Sequence, residues 1–247
     1  MQTGAIRMSD LAARLKLVSA RIEAACAACG RAPAEVRLLA VSKTVDTATL
    51  RGAQSLGVRE FGESYLQEAL PKIADLAMRP PVWHFIGPIQ SNKTRDIAAN
   101  FDWVHGVDRL KIAERLSMQR GATREALSIC VQVNISREAS KSGCDPDEAV
   151  ALCLAIAALP QLSLRGLMAI PAPLRESASA AEARAPYAAL RELAQQVKSR
   201  LTEQRPGSAA HFDTISAGMS DDLEAAIAEG STLIRVGSAL FGDRFQN

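Results

Sequence analysis

Val36-Arg37-Leu38-Leu39-Ala40-Val41-Ser42-Lys43-Thr44 is a short apolar run of strand length that ends on a lysine. A lysine at the end of a buried strand either snorkels to water along its methylene stem or is held in place for chemistry. What the rest of the chain builds around this strand decides between the two.

Outward from this run, short apolar segments alternate with helical ones. Upstream, Met8–Ala28 is expected to be a helix. Leu11, Leu15, Val18, Ile22 and Cys26 recur at helical spacing, Ser9 or Asp10 is placed to cap it, and Gly30 and Pro33 stop it. After the opening strand at 36–42, strands are expected at 58–61, 82–86, 103–107, 127–135, 164–168, 212–215 and 233–236. Helices are expected between them at 46–56, 63–78, 92–99, 109–120, 145–158, 180–204 and 221–228. Strands that alternate with helices must lie parallel, because each helix carries the chain back across the sheet. Eight such units in about 200 residues predict an α/β fold, a (β/α)8 TIM barrel with an extra N-terminal helix that plugs or flanks it. A doubly wound sheet is the alternative, but it more often stops at five or six strands. The connection at 172–185 is rich in Ala, Ser, Pro and charge, and its first half reads as a mobile loop. With no repeat and no dividing linker, residues 1–247 read as one domain.

Composition narrows the function classes. Net charge is +2 with both signs interspersed, which gives no electrostatic case for nucleic acid. No apolar run approaches the roughly 20 residues of a membrane span, and the N-terminus lacks a signal-peptide core, so a cytoplasmic location is expected. Five cysteines without regular spacing argue against a disulfide framework and for a reducing compartment. Cys26 and Cys29 form a C-x-x-C, but within an alanine-rich helical pattern and with no histidine nearby. His105 and His211 have no ligand spacing to each other or to a carboxylate, so no metal is expected. His84, in a short buried strand, reads equally as a satisfied core histidine or a pocket residue.

In a barrel, chemistry collects where the strands end. Lys43 follows the first strand. Ser216-Ala217-Gly218-Met219-Ser220 follows the seventh, and Gly237-Ser238 the eighth. Small residues with free backbone N–H groups in these last two loops suit a phosphate. The simpler reading is that Ser220 only caps the next helix, with Asp221 and Asp222 answering its dipole. Arg235 stands within the otherwise apolar Leu233-Ile234-Arg235-Val236, where a guanidinium must find acceptors or line a pocket. The simpler reading there is pairing with an internal carboxylate. A desolvated lysine, a phosphate cradle and an inward arginine together suit a phosphorylated aldehyde held as a Schiff base. Pyridoxal 5′-phosphate uses all three. A sugar phosphate on an aldolase lysine is the other option, though it needs no arginine for a ring nitrogen.

The chain also resembles the pyridoxal phosphate homeostasis protein family. The resemblance rests on Leu38 through Thr44, Phe61-Gly62-Glu63-Ser64-Tyr65-Leu66-Gln67-Glu68, Trp83-His84-Phe85-Ile86-Gly87, Gln90-Ser91-Asn92-Lys93, Gly166-Leu167-Met168, Gly218-Met219-Ser220-Asp221-Asp222 and Arg235-Val236-Gly237. It implies a barrel like the alanine racemase N-terminal domain. It also implies pyridoxal 5′-phosphate carried on Lys43, an arginine at Arg235 beside the pyridine nitrogen, and phosphate contacts around Ser216, Gly237 and Ser238. Ser64, Met168, Met219 and Ser220 complete the expected cofactor-binding set. The family usually has asparagine where this chain has Ser64, and Pro88-Ile89 and Ala217 are further departures.

An arginine donates to the ring nitrogen and leaves it unprotonated, so the ring is a weaker electron sink than one facing a carboxylate. Racemisation needs a base on each face of the substrate. Lys43 supplies one, but the racemases resembled here take the second, a tyrosine, from a further domain that this sequence is not expected to contain. The expectation is therefore a monomer that buffers the cofactor and delivers it to apo enzymes that depend on it, without robust catalysis. A weak amino acid racemase is the alternative, with Tyr65 as a possible second base. Glu63 is expected to open a helix as a dipole partner, and Lys93, Arg95 and Lys141 to be solvated surface.

Overall fold

The computed structural model describes residues 6–138, 140–172, 177 and 179–242. The expected alternation is present and closes on itself. The strands are β1 Arg37–Val41, β2 Glu60–Glu63, β3 Val82–Phe85, β4 Trp103–Val107, β5 Leu127–Gln132, β6 Leu162–Met168, β7 Thr214–Ser216 and β8 Leu233–Val236. They form a closed parallel barrel in sequence order. The seam is β1 against β8, in the register Arg37 to Leu233, Leu39 to Arg235 and Ala40 to Val236. The helices are α1 Met8–Ala28, α2 Thr47–Ser55, α3 Leu66–Asp75, α4 Thr94–Asn100, α5 Leu110–Gln119, α6 Pro146–Ile156, α7 Ala180–Gln204, α8 Pro206–Ala209, α9 Leu223–Ala228 and α10 Ser238–Phe241. α1 flanks the barrel, packing against α2, α9 and α10, and does not plug it.

Several boundaries move, each for a local reason. α1 is preceded by Arg7, whose guanidinium bonds Asp10, so neither Ser9 nor Asp10 caps it. Val58 is bonded back to the end of α2 through the Ala53 carbonyl, which delays the second strand to Glu60. That strand then runs through Glu63, so α3 starts three residues later than expected, at Leu66. Phe212 is likewise held in a turn by the Ala209 carbonyl, and β7 begins at Thr214. Asp46 and Asp145 do cap α2 and α6, accepting from the Thr49 and Asp147 N–H groups. The loop expected in the first half of 172–185 lies largely outside the described residues.

Burial splits the strands by parity. Ala40, Phe61, Trp83, Phe85, Val104, Ile129, Val131, Leu167, Ile234 and Val236 belong to one apolar layer between barrel and helices. The opposite parity faces the barrel interior, and there the residues are largely polar. Arg37, Glu60, His84, His105, Thr214, Ser216 and Arg235 alternate with those of the outer layer. A small apolar cluster of Trp103, Cys130 and Met168 is also inside. Arg37 and Arg165 each stack on the Trp103 ring, 4.8 Å from its centroid. A barrel interior is usually filled by branched apolar side chains. Here a polar column replaces much of that filling, and every polar group in it must find a partner.

Candidate functional site

At the end of β1, Val36, Leu38 and Ala40 face the helices. Arg37, Leu39 and Val41 have the other parity, and Lys43 follows in the turn at the C-terminal end of the strand, on the rim of the barrel. The backbone on either side of Lys43 is clamped by α3. Lys72 Nζ donates to the Ser42 carbonyl at 2.8 Å, and the Thr44 N–H donates to Glu68 Oε2 at 2.8 Å. Glu68 and Lys72 lie four residues apart, on one face of the helix. Between the clamps Thr44 has φ +65°, a left-handed conformation that a β-branched residue rarely takes.

Behind this turn is a buried ion pair. Lys72 Nζ lies 2.8 Å from Glu63 Oε1, which also accepts the Ser42 hydroxyl at 2.6 Å. Burial raises the Glu63 carboxyl above its ordinary pKa, against the pull of Lys72. Its Oε2 has no hydrogen-bond partner among the described residues. Glu63 is thus the last residue of β2 and an anchor of the Lys43 turn. The expected role as a helix-opening dipole partner is not what the structure shows.

Arg235 is buried at 4% exposure. The expected simple alternative, an internal carboxylate, is not its partner among the described residues. Its Nη1 donates to the Ser216 carbonyl at 2.6 Å and to Ser216 Oγ at 2.8 Å, and its Nη2 donates to the Ala169 carbonyl at 2.9 Å. Burial lowers its pKa to about 10, so it remains a cation at neutral pH. Three of its five N–H bonds are used in these contacts. Ser216 Oγ also lies 2.9 Å from His105 Nδ1, and His105 Nε2 lies 2.9 Å from His84 Nδ1. His84 Nε2 is 3.2 Å from Glu60, which Arg37 meets at 3.3 Å. His84 Nε2 makes no hydrogen bond to any described residue, so its approach to Glu60 is an electrostatic contact only and the weakest link of the column. Burial holds both imidazoles below their ordinary pKa, His105 well below. For Glu60, burial acts upward but His84 and Arg37 outweigh it, and its pKa lies low.

The loops after β7 and β8 meet. Ser238 Oγ donates to Ser220 Oγ at 3.2 Å, and the Ala239 N–H donates to the same Ser220 oxygen at 3.4 Å. Ser220 therefore bridges the loops and does not cap α9, whose N-cap position is Asp222. Asp222 turns inward, accepting the Met219 N–H and the Tyr187 hydroxyl, each at 2.5 Å. Gly218 makes the bend, with φ +93° and Ala226 too close for any side chain there.

β7, β8 and β1 are consecutive in the barrel. Met219, Ser220, Gly237, Ser238 and Lys43 therefore share one arc of the rim, with Ser216 and Arg235 buried below it. Ser64 follows β2, the next strand round. Met168 sits lower, buried in the interior beside Trp103 and Cys130. Tyr65 is 52% exposed at the start of α3, whereas Tyr187 is buried and its hydroxyl committed to Asp222. Sequence reading missed the His84–His105 contact, the Glu63–Lys72 pair and the tyrosine of α7. The first had the same signal that exposed Arg235, a polar residue at interior parity in an apolar strand.

The remaining candidates fall elsewhere. Cys26 is buried and Cys29 donates its thiol to the Ala25 carbonyl; both are free thiols. No group of three metal-ligating side chains occurs among the described residues. Lys141 Nζ reaches the Ile170 carbonyl at 3.3 Å, so it borders the mouth beyond β6. A cavity of about 550 Å³ lies at the far end of α2, lined by Arg51, Arg59 and Arg79. It is remote from the strand ends, and Arg51 is paired there with Asp75. No helix among the described residues is long and apolar enough to cross a membrane.

Residues 15–245 match the family described as alanine racemase, N-terminal domain. The pyridoxal phosphate homeostasis protein of Pseudomonas aeruginosa is 56% identical over 237 residues, 96% of this chain and 97% of that one. The protein of the same name from Escherichia coli K12 is 47% identical over 243 residues, covering 96% and 98%. Among solved structures, PipY of Synechococcus elongatus with PLP bound superimposes at a TM-score of 0.77 and 37% identity, over 94% of this chain and 100% of that one.

Proposed function

Because the chain belongs to the pyridoxal phosphate homeostasis protein family, on the alanine racemase N-terminal barrel, we propose that it binds pyridoxal 5′-phosphate and acts in intracellular homeostasis of that cofactor, by buffering and delivery. The observation that carries this reading is the seam of the barrel. Closure of β8 on β1 sets Leu39 beside Arg235, so the turn that carries Lys43 and the end of β8 are neighbours on the rim of the barrel.

The residues present fit the group. Bound there, the cofactor supplies an electrophilic aldehyde. Lys43 holds that aldehyde covalently as a Schiff base, with its backbone fixed by Lys72 and Glu68. Arg235, a cation with N–H groups left over from its three protein contacts, faces the ring nitrogen. Because it cannot take up a proton, it leaves that nitrogen unprotonated and disfavours carbanion chemistry. Ser220, Gly237 and Ser238, with Met219 beside them, line the loops that meet after β7 and β8 and receive the phosphate; Ser216, expected among these contacts, is buried at the end of β7 with its hydroxyl committed to Arg235 and His105. Ser64 and Met168 flank the ring from β2 and from the interior.

The purified protein incubated with pyridoxal phosphate should gain a visible absorbance band, and borohydride should fix the cofactor to the peptide that contains Lys43. Lys43→Ala should lose both. A wild-type protein that stays colourless would remove the assignment. Delivery is tested by timing transfer to an apo enzyme against spontaneous release; equal rates would reduce the role to storage. Action as a monomer and location in the cytoplasm belong to the same proposal. Weak racemisation is the second reading, favoured by Tyr65, half exposed next to Ser64. It predicts slow turnover of D- and L-alanine that Tyr65→Phe abolishes.

A further inference from the structure

We propose that Ser216, His105 and His84 form a hydrogen-bond chain with one fixed direction, aimed at the Glu60 carboxylate, and that His105 is a positioning residue which, through the Ser216 hydroxyl, sets the Arg235 guanidinium below the barrel mouth. The second half rests on the reading of Arg235 as the partner of the ring nitrogen. The direction of the chain does not.

The ends impose the order. Arg235 can only donate, and the Glu60 carboxylate can only accept. Between them stand one hydroxyl and two neutral imidazoles, each with one proton to give and one lone pair to offer along the line. Arg235 Nη1 donates to Ser216 Oγ. The Ser216 proton then has His105 Nδ1 as its acceptor, at 2.9 Å. That makes Nε2 the protonated nitrogen of His105, donating to His84 Nδ1 at 2.9 Å. His84 in turn carries its proton on Nε2, which faces Glu60 at 3.2 Å. The opposite order fails at both ends. Ser216 Oγ would accept twice while its own proton had no acceptor in the column, and a bare nitrogen of His84 would face a carboxylate.

The consequence is at Arg235. Both Nη1 hydrogens rest on Ser216, one on its carbonyl and one on its hydroxyl. While His105 takes the hydroxyl proton, a lone pair of that oxygen stays turned toward the guanidinium. Without that acceptor the proton is free to swing toward Arg235 and displace the contact. His105 thus acts on the mouth from one layer below it and touches no ligand.

Nitrogen-15 NMR of histidine-labelled full-length protein at pH 7 reads the direction without any cofactor. His84 and His105 should both be neutral with the proton on Nε2. A proton on His105 Nδ1 would overturn the chain. The positioning role is read in protein loaded with pyridoxal phosphate. His105→Leu should still be reducible onto Lys43, but with a displaced visible band and release about tenfold faster, the scale of one lost buried hydrogen bond. His105→Asn, whose amide oxygen falls near the Nδ1 position, should restore both. A His105→Leu protein with the wild-type band and release rate would refute the role. If His105→Leu does not fold, Ser216→Ala, which removes the hydroxyl acceptor of Nη1 and leaves the carbonyl, should displace the band in the same way, and an unchanged band there refutes it. If the wild type takes up no cofactor, the functional reading falls and the NMR result still decides the direction.

Discussion

Thr44 adopts a conformation that is costly for a β-branched residue. It is held in the left-handed region between two clamps on α3, one residue past the lysine of the mouth. Such strain in a non-glycine residue is of order 1–3 kcal/mol and collects at functional sites. Thr44→Gly should relieve it, partly offset by the extra freedom of glycine in the unfolded chain. The expected gain is about 1 kcal/mol in urea unfolding, with weaker retention of pyridoxal phosphate because the turn is no longer forced. Glu63 and Lys72 are the second case. Lys72→Met strands a buried carboxylate and should cost about 3 kcal/mol at pH 8. The Glu63 carboxyl, already raised by burial, rises further when its partner is gone. The folded state then holds a proton that the unfolded state releases above about pH 4.3. Stability of the variant should therefore fall as pH rises through the folded-state pKa. The deficit relative to wild type should be smaller at pH 5 than at pH 8.

At the scale of elements, the turns at the mouth are held by side chains of the surrounding helices. α3 contributes no residue to the inner surface, yet it sets the backbone of Ser42 and Thr44. α7 does the same for the loop after β7. Its Tyr187 hydroxyl meets Asp222, which in turn takes the Met219 N–H. Burial together with Asp222 pushes the Tyr187 phenol up, so it stays protonated as a donor. Tyr187→Phe leaves an Asp222 oxygen without that donor. It should cost about 1–2 kcal/mol of stability and speed release of the cofactor, measured by thermal unfolding with and without pyridoxal phosphate. An equal loss of stability in both conditions would confine Tyr187 to packing.

The whole molecule trades an apolar barrel interior for a polar column, and that choice shows in its response to acid. His84 and His105 are kept neutral by burial. In the unfolded chain they take up protons below about pH 6.5. The unfolded state then binds more protons than the folded one, so stability present above pH 6.5 is lost as pH falls. The loss should approach about 1.4 kcal/mol per pH unit for each histidine. Urea unfolding at pH 7 and pH 5.5 should show it, with a shallower slope in His84→Asn.

The sequence by itself determined the architecture, because parity and spacing are local. Strand runs such as 36–42 and 103–107, each followed by a helical pattern, call for parallel strands, and eight of them favour a barrel over a doubly wound sheet. It also marked Lys43 and Arg235, since a charge inside an apolar strand is conspicuous without any knowledge of its partner. Only the tertiary structure decided what those charges meet. Barrel closure places Leu39 beside Arg235 from opposite ends of the chain, and it stacks His84, His105 and Ser216 into one column. The Glu63 to Lys72 pair was hidden for a different reason. Glu63 looked like the start of a helix until β2 was seen to run through it; as the last strand residue it shares the helix-facing parity of Phe61, which sets its carboxylate against Lys72 of α3.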